Sequence, residues 1–229
     1  AVAKAGIARV TTDVRIDDSR YESPGYLPGW NWDDFPYYYA PVVSALTFEE
    51  NVVHLTISPG AKPGDFAQVV AAPIGLVGRP VGGCPPTADV HVLPFARTGA
   101  ANDKDTIDLV RERSGCILVT GTIPAGAKPH TVDAAVPSPA VYAHDALVAA
   151  LRRRAIAVTE LHTVAGPWPD EHRTWLALGA NLNAIWTHES EPLRDVLADL
   201  WLPSDNLVAE LLLRELGVAQ AGTPGTTVN

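Results

Sequence analysis

The clearest hydrophobic periodicity in the chain lies near its C-terminus. Leu207, Val208, Leu211, Leu212 and Leu216 recur at helical spacing, Glu210 precedes Arg214 by four, and Gly217 follows where a C-terminal cap belongs. The pattern predicts an amphipathic helix with Ser204-Asp205-Asn206 at its mouth, Ser204 in the position of an N-cap. Upstream, Ser190-Glu191-Pro192 predicts the start of a second helix through Leu200, which Pro203 ends. A third helix reads from Ser138 to Arg154, with Pro139 at its first position and Val141, Ala143, Leu147, Ala150 and Leu151 on its inner face.

The rest of the chain carries strand texture. Residues 7–17 are β-branched and read as a strand. Pro41 to Ile57 reads as two strands joined at Glu49-Glu50-Asn51, and the second alternates Val53, Leu55 and Ile57 against Val52, His54 and Thr56. From Ser58 to Lys128, strand-sized pieces at 67–72, 90–95, 105–110 and 116–123 alternate with turns rich in Pro and Gly, the pattern of a small all-β module. Ile156-Ala157-Val158 then fits a return to the first sheet. We therefore expect an α+β fold: a split sheet-plus-helix domain at 1–51 and 129–186, an inserted β domain at 52–128, and a helical hairpin at 187–229.

Composition narrows the class. The 229 residues are 47% hydrophobic and 19% charged, enough for a substantial core. A net charge of −9 argues against nucleic acid, and Arg152-Arg153-Arg154 falls at a helix end, where cations favour the dipole. No apolar run reaches the ~20 residues of a membrane span. Ala1 to Gly6 lacks the features of a signal peptide, and the absence of methionine leads us to expect a processed or partial chain. Cys84 and Cys116 allow one disulfide or two buried thiols.

Most candidate chemistry has a plain alternative. The aromatic run from Tyr21 to Tyr39 reads as a loop packed by its own rings or as a stacking surface for sugar or peptide. His162 with His172, and His188 beside Glu189, are possible pairs, but no histidine falls in His-Glu-x-x-His and neither cysteine has a second ligand at zinc-site spacing, so no metal is expected; Asp170-Glu171-His172-Arg173 reads as a solvated turn. Gly75 to Gly78 and Gly82-Gly83 lack the order of a nucleotide cradle, and no cofactor is expected.

Ser204-Asp205-Asn206 is different because of its surroundings. Pro203-Ser204-Asp205-Asn206, Ala209-Glu210, Leu212-Leu213-Arg214 and Leu216-Gly217 together resemble the second motif of the class C low-molecular-weight penicillin-binding proteins, the S13 peptidase family. Ser190-Glu191-Pro192-Leu193 is similar to the family's approach to that motif. So are Val14 to Tyr21, Pro28-Gly29-Trp30 with Asp33-Asp34, Tyr39 to Leu46, and Glu50-Asn51. The family's other two motifs, Ser-x-x-Lys and Lys-Thr-Gly, do not occur in these 229 residues.

The resemblance implies a serine-type D-Ala-D-Ala carboxypeptidase or endopeptidase that is periplasmic or otherwise extracytoplasmic. Its substrates would be peptidoglycan stem peptides ending in D-Ala-D-Ala, and β-lactams would acylate it. Ser204 would relay a proton between the activating lysine and the leaving amine, and Asn206 would bind a substrate carbonyl and hold that lysine. Asp205 would be structural. On this reading 187–229 is the helical piece of a transpeptidase/β-lactamase-like catalytic domain whose remainder is a missing partner. The chain alone would be inactive, and the faces built from Leu197, Leu200, Trp201, Leu207, Leu211 and Leu212 would lack cover. The alternative is a non-catalytic cell-wall-binding or scaffolding module.

Overall fold

The computed structural model describes residues 1–12, 14, 16–21, 26–27, 29–74, 76–78, 90–159 and 183–221. Alternation along β2 (Val52–Ser58) begins at Val53: Val53, Leu55 and Ile57 are fully buried and His54 and Thr56 keep partial contact with solvent, while Val52, expected on the outer side with them, is buried. The strand pairs antiparallel with β10 (His130–Ala135) on one side and β3 (Gln68–Ala72) on the other. Across the β2–β10 pair His54 stands opposite Asp133, and its Nδ1 lies 2.7 Å from the carboxylate.

A four-stranded sheet runs in the order β4 (Leu76–Val77), β5 (His91–Pro94), β8 (Ile117–Thr120), β7 (Asp108–Arg111). Only the β7–β8 pair is antiparallel. Two short strands, β6 (Arg97–Gly99) and β9 (Thr122–Pro124), pair in parallel. Gly121 splits the expected 116–123 strand into β8 and β9. Its φ of 88° is left-handed, and a Cβ there would stand 2.0 Å from the Thr106 carbonyl oxygen. Val53, Leu55, Ile57, Val92, Ile117 and Val119 centre one apolar core, joined by Tyr142.

Contacts within the chain define two compact units, residues 23–143 and residues 1–22 with 144–229. Helix α1 (Pro139–Arg153) carries the chain from one to the other. The Tyr142 amide bonds the Ser138 carbonyl at 3.0 Å, so Ser138 stands at the cap position and Pro139 opens the helix. The inner face differs from expectation at Leu147, which is exposed. Val141, Ala146, Val148 and Leu151 are buried, with His144 among them. In the second unit β1 (Arg9–Val10) pairs in parallel with β11 (Ala157–Val158), the return to the first sheet that the sequence suggested. Helices α2 (Leu193–Trp201) and α3 (Asn206–Ala221) belong to the same unit.

Several expected elements are shorter or absent. Among the described residues of 7–17, strand pairing is seen at Arg9 and Val10, which face Ala157 and Val158. No ladder forms over 41–48. There the Ser44 hydroxyl accepts the Leu46 amide at 3.2 Å and the Ser44 carbonyl accepts the Thr47 hydroxyl at 3.4 Å, local bonds that compete with a strand. Glu49, Glu50 and Asn51 form the turn before β2 with φ of 48°, 52° and 57°. The buried Asn51 side chain holds it, donating to the Val42 carbonyl at 3.0 Å and accepting the Phe48 amide at 3.3 Å. Helix α3 passes through Gly217 to Ala221, so Gly217 is an interior residue and no cap.

Candidate active site

The junction between α2 and α3 holds Ser204, Asp205 and Asn206. The Asp205 amide reaches back to the Leu200 carbonyl at 3.0 Å, closing the end of α2, and Ser204 takes the left-handed conformation such a closure requires, with φ of 61°. A left-handed non-glycine residue carries backbone strain, and strain of this kind collects at functional sites. Asp205 then begins α3: its Oδ1 accepts the Val208 amide at 3.0 Å, and its carbonyl accepts the Ala209 amide at 3.2 Å.

The N-cap is therefore Asp205 and not Ser204. The capping bond expected of Ser204 belongs to its neighbour, because the left-handed turn at Ser204 shifts the start of α3 by one residue. Asn206 is the first residue of α3, and Ser204 and Asn206 are both exposed while Asp205 is only partly so. The tripeptide thus has a division of labour. Asp205 fastens the junction, and a hydroxyl and a carboxamide flank it at the surface. At the other end of this hairpin, the expected cap for α2 is also displaced: Pro192, which has no side-chain acceptor, occupies the cap position.

Helix α3 is held by residues from the other end of the chain. Arg20 donates twice to the Glu215 carboxylate, at 2.6 and 2.7 Å, and the Tyr21 hydroxyl donates to the same carboxylate. The Arg20 bond holds Glu215 below the usual carboxylate range and raises Arg20 further above its own ordinary value. Burial, with the Glu215 bond added, pushes the Tyr21 phenol up to about 12, so it remains a donor throughout the neutral range. No local spacing in the sequence marks this role for Arg20 and Tyr21, because Glu215 lies 195 positions from Arg20.

The buried face of α3 is also not the leucine stripe. Leu207, Arg214 and Gly217 are buried, with Arg214 only 2% exposed, whereas Leu216 is 61% exposed and Leu213 is exposed as well. On α2, Trp201 is 80% and the following Leu202 88% exposed. The expectation of uncovered apolar positions holds for Trp201 and fails for Leu207. Leu197, Leu200, Leu211 and Leu212 are partly covered.

Of the remaining candidates, His188 and Glu189 are exposed. His162, His172, the turn at 170–173 and Cys84 lie outside the described residues. Among those described, no group of three His, Cys, Asp or Glu side chains is placed to hold a metal ion. Cys116 is buried and in a disulfide, which decides between the alternatives left open for it. No described helix is long and apolar enough to cross a membrane.

The chain matches the D-Ala-D-Ala carboxypeptidase 3 (S13) family over residues 1–228. It is 28% identical to a D-alanyl-D-alanine carboxypeptidase of Actinomadura sp. (strain R39), over 96% of this chain and 38% of that protein. It is 23% identical to the D-alanyl-D-alanine carboxypeptidase DacB of Haemophilus influenzae, over 92% of this chain and 40% of that one. The fold is similar to the crystal structure of penicillin binding protein 4 (dacB) from Haemophilus influenzae, with a TM-score of 0.71 at 20% identity, covering 98% of this chain and 45% of the other. A second structure of that protein, complexed with a β-lactam, gives a TM-score of 0.58 at 18% identity, over 95% of this chain and 41% of the other. The chain therefore spans less than half the length of these relatives. With the family match running over residues 1–228 and a mixed α and β fold of several small sheets, the chain belongs to the D-Ala-D-Ala carboxypeptidase 3 (S13) family.

Proposed function

We propose that this chain is part of a serine-type D-Ala-D-Ala carboxypeptidase or endopeptidase that acts on peptidoglycan stem peptides through an acyl-enzyme and is acylated by β-lactams. The observation that carries the reading is the junction geometry: Ser204 and Asn206 exposed around a left-handed turn that Asp205 fastens. In the mechanism, a serine activated by a lysine attacks the carbonyl between two D-alanines and the amine leaves with a proton. Water then hydrolyses the acyl-enzyme. Ser204 carries the proton between lysine and amine, since a hydroxyl both donates and accepts. Asn206 donates from its carboxamide to a substrate carbonyl and accepts from the lysine. The attacking serine and its lysine come from outside these residues, because the last lysine of the chain is Lys128 and no Ser-x-x-Lys occurs.

On the same reading residues 1–51 and 129–186 form the accessory domain, 52–128 are its β insertion, and 187–229 belong to the catalytic domain. The exposed Trp201, Leu202 and Leu216 support this, as apolar positions that the remainder of that domain would cover. The Cys116 disulfide supports an extracytoplasmic, periplasmic-type location, where thiols oxidise. The absence of Ser-x-x-Lys favours one second reading, a non-catalytic module that binds or scaffolds the cell wall.

Labelled penicillin tests the proposal. Residues 1–229 alone should form no covalent adduct. A longer product of the same gene, if it encodes Ser-x-x-Lys before this segment and Lys-Thr-Gly after it, should be acylated stoichiometrically and should lose acylation on Ser204→Ala or Asn206→Ala. Stop codons on both sides would leave the module reading.

A further inference from the structure

The aromatic segment before β2 divides into a buried framework and an exposed set of rings. Its backbone is pinned on several sides. Tyr37 bridges Ala134 of β10, the Ala135 amide bonds the Pro36 carbonyl at 2.9 Å, and the buried Arg111 guanidinium donates to the Phe35 carbonyl at 3.0 and 3.3 Å. The Tyr37 hydroxyl donates to Asp108 of β7. Yet Trp32 is 56%, Tyr38 62% and Tyr39 40% exposed. Two separate ring contacts hold them, Trp32 edge-on to Phe35 at 5.6 Å and Tyr38 edge-on to Tyr39 at 5.6 Å. Asp34 ties the two halves together, accepting the Tyr39 hydroxyl at 3.2 Å and the Asn31 amide at 3.0 Å. Large rings held rigidly in water lose little freedom when a ligand covers them, so a fixed exposed platform favours binding.

We propose that Trp32, Tyr38 and Tyr39, with Asp33 and Asp34, form a binding platform for a neutral polysaccharide, the N-acetylhexosamine glycan of the cell wall. The choice of a cell-wall glycan rests on the peptidase reading above. The chemistry rests on the patch. The C–H face of a pyranose is apolar with a slight positive charge and stacks on the negative face of an aromatic ring, while its equatorial hydroxyls need acceptors at the rim. The exposed Asp33 and the partly exposed Asp34 are such acceptors. Charge argues against an anionic partner, because the sequence from Tyr21 to Ala61 contains no Lys or Arg and carries Glu22, Asp33, Asp34, Glu49 and Glu50.

Titration of residues 1–229 with the soluble β-1,4-linked hexamer of N-acetylglucosamine, followed by calorimetry and by the Trp32 indole N–H resonance, tests this. Trp32→Ala and Tyr38→Ala should each weaken binding roughly three- to tenfold, the contribution of one stacked ring. Trp32→Phe should retain most of the affinity and so separates loss of stacking from loss of folding, with circular dichroism as the check. Binding should be insensitive to salt. Absence of saturable binding, equal binding by Trp32→Ala, or a steep salt dependence overturns the proposal. In the last two cases the patch serves another contact, such as packing against further protein. The hexamer carries no stem peptide, so failure here leaves the acylation test untouched, and failure of acylation leaves this result standing.

Discussion

The Arg20 guanidinium and the Glu215 carboxylate meet in two parallel hydrogen bonds, Nε to Oε1 at 2.6 Å and Nη2 to Oε2 at 2.7 Å. The pair clamps helix α3 to the segment that follows β1, within one compact unit. Both side chains are about half exposed, so solvent screens the attraction, but the fork geometry and the added Tyr21 bond favour the upper end for surface pairs. Arg20→Ala should lower the unfolding free energy by about 1 kcal/mol in urea titrations.

The same pair sets a pH dependence. Glu215 is held below its usual 4.5, chiefly by the Arg20 bond and against the opposing effect of burial. A depressed folded-state value means the unfolded chain takes up the proton first as pH falls. The contribution is therefore complete above the unfolded value and is lost as pH drops through the folded value of Glu215. Glu215→Gln should be less stable than wild type near neutrality, and the difference should shrink below about pH 4. A constant difference across the acid range would mean that charge is not what holds the clamp.

Helix α1 ends in a Schellman turn built on the wrong residue. The Ile156 amide bonds the Leu151 carbonyl at 3.0 Å, the Ala155 amide bonds the Arg152 carbonyl at 2.9 Å, and Ala155 has φ of 56°. Ile156 and Leu151 are both buried, as the motif's apolar contact requires. Ala155→Gly should remove the Cβ penalty and raise stability by about 0.5–1 kcal/mol, read as a higher melting temperature.

Gly121 predicts the opposite sign. Its left-handed φ and the 2.0 Å approach of the Thr106 carbonyl leave no room for a methyl group. The obstacle is backbone of the segment that leads into β7, which cannot rotate away as a side chain could. Gly121→Ala should cost about 3 kcal/mol or more. Chemical denaturation of the variant measures it.

What the sequence revealed about the fold follows from how local each signal is. The alternation in β2 and the Ser138-Pro139 start of α1 are written in adjacent residues, and both stand as read save at Val52, which is buried. The absent strand at 41–48 turned on local bonds of the Ser44 and Thr47 hydroxyls that favour turns over ladders. On α3 the leucine periodicity identified the helix and not its orientation, because burial of Arg214 and exposure of Leu216 depend on what the rest of the unit offers. At the site, Ser204-Asp205-Asn206 was legible as a motif. Which of the three caps the helix was not, since Ser and Asp are both good N-caps and only the left-handed turn decides between them.

That turn supplies the most discriminating pair of substitutions. If Asp205 is the cap, Asp205→Ala should destabilise the chain by about 1 kcal/mol, and Asp205→Asn, which keeps the acceptor, should recover most of it. Ser204→Gly should act in the other direction. It relieves a left-handed serine at φ of 61°, so the chain should gain about 0.5–1 kcal/mol while losing the hydroxyl proposed to carry the proton. A gain in stability paired with a loss of acylation in a longer product, where the gene encodes one, is the pattern of a residue kept for chemistry at a cost to the fold. Destabilisation by Ser204→Gly with a neutral Asp205→Ala would reassign the cap to Ser204 and remove the geometric support for its catalytic role. Thermal and urea unfolding of residues 1–229 suffices for the stability half. Penicillin labelling of the longer product reads the other.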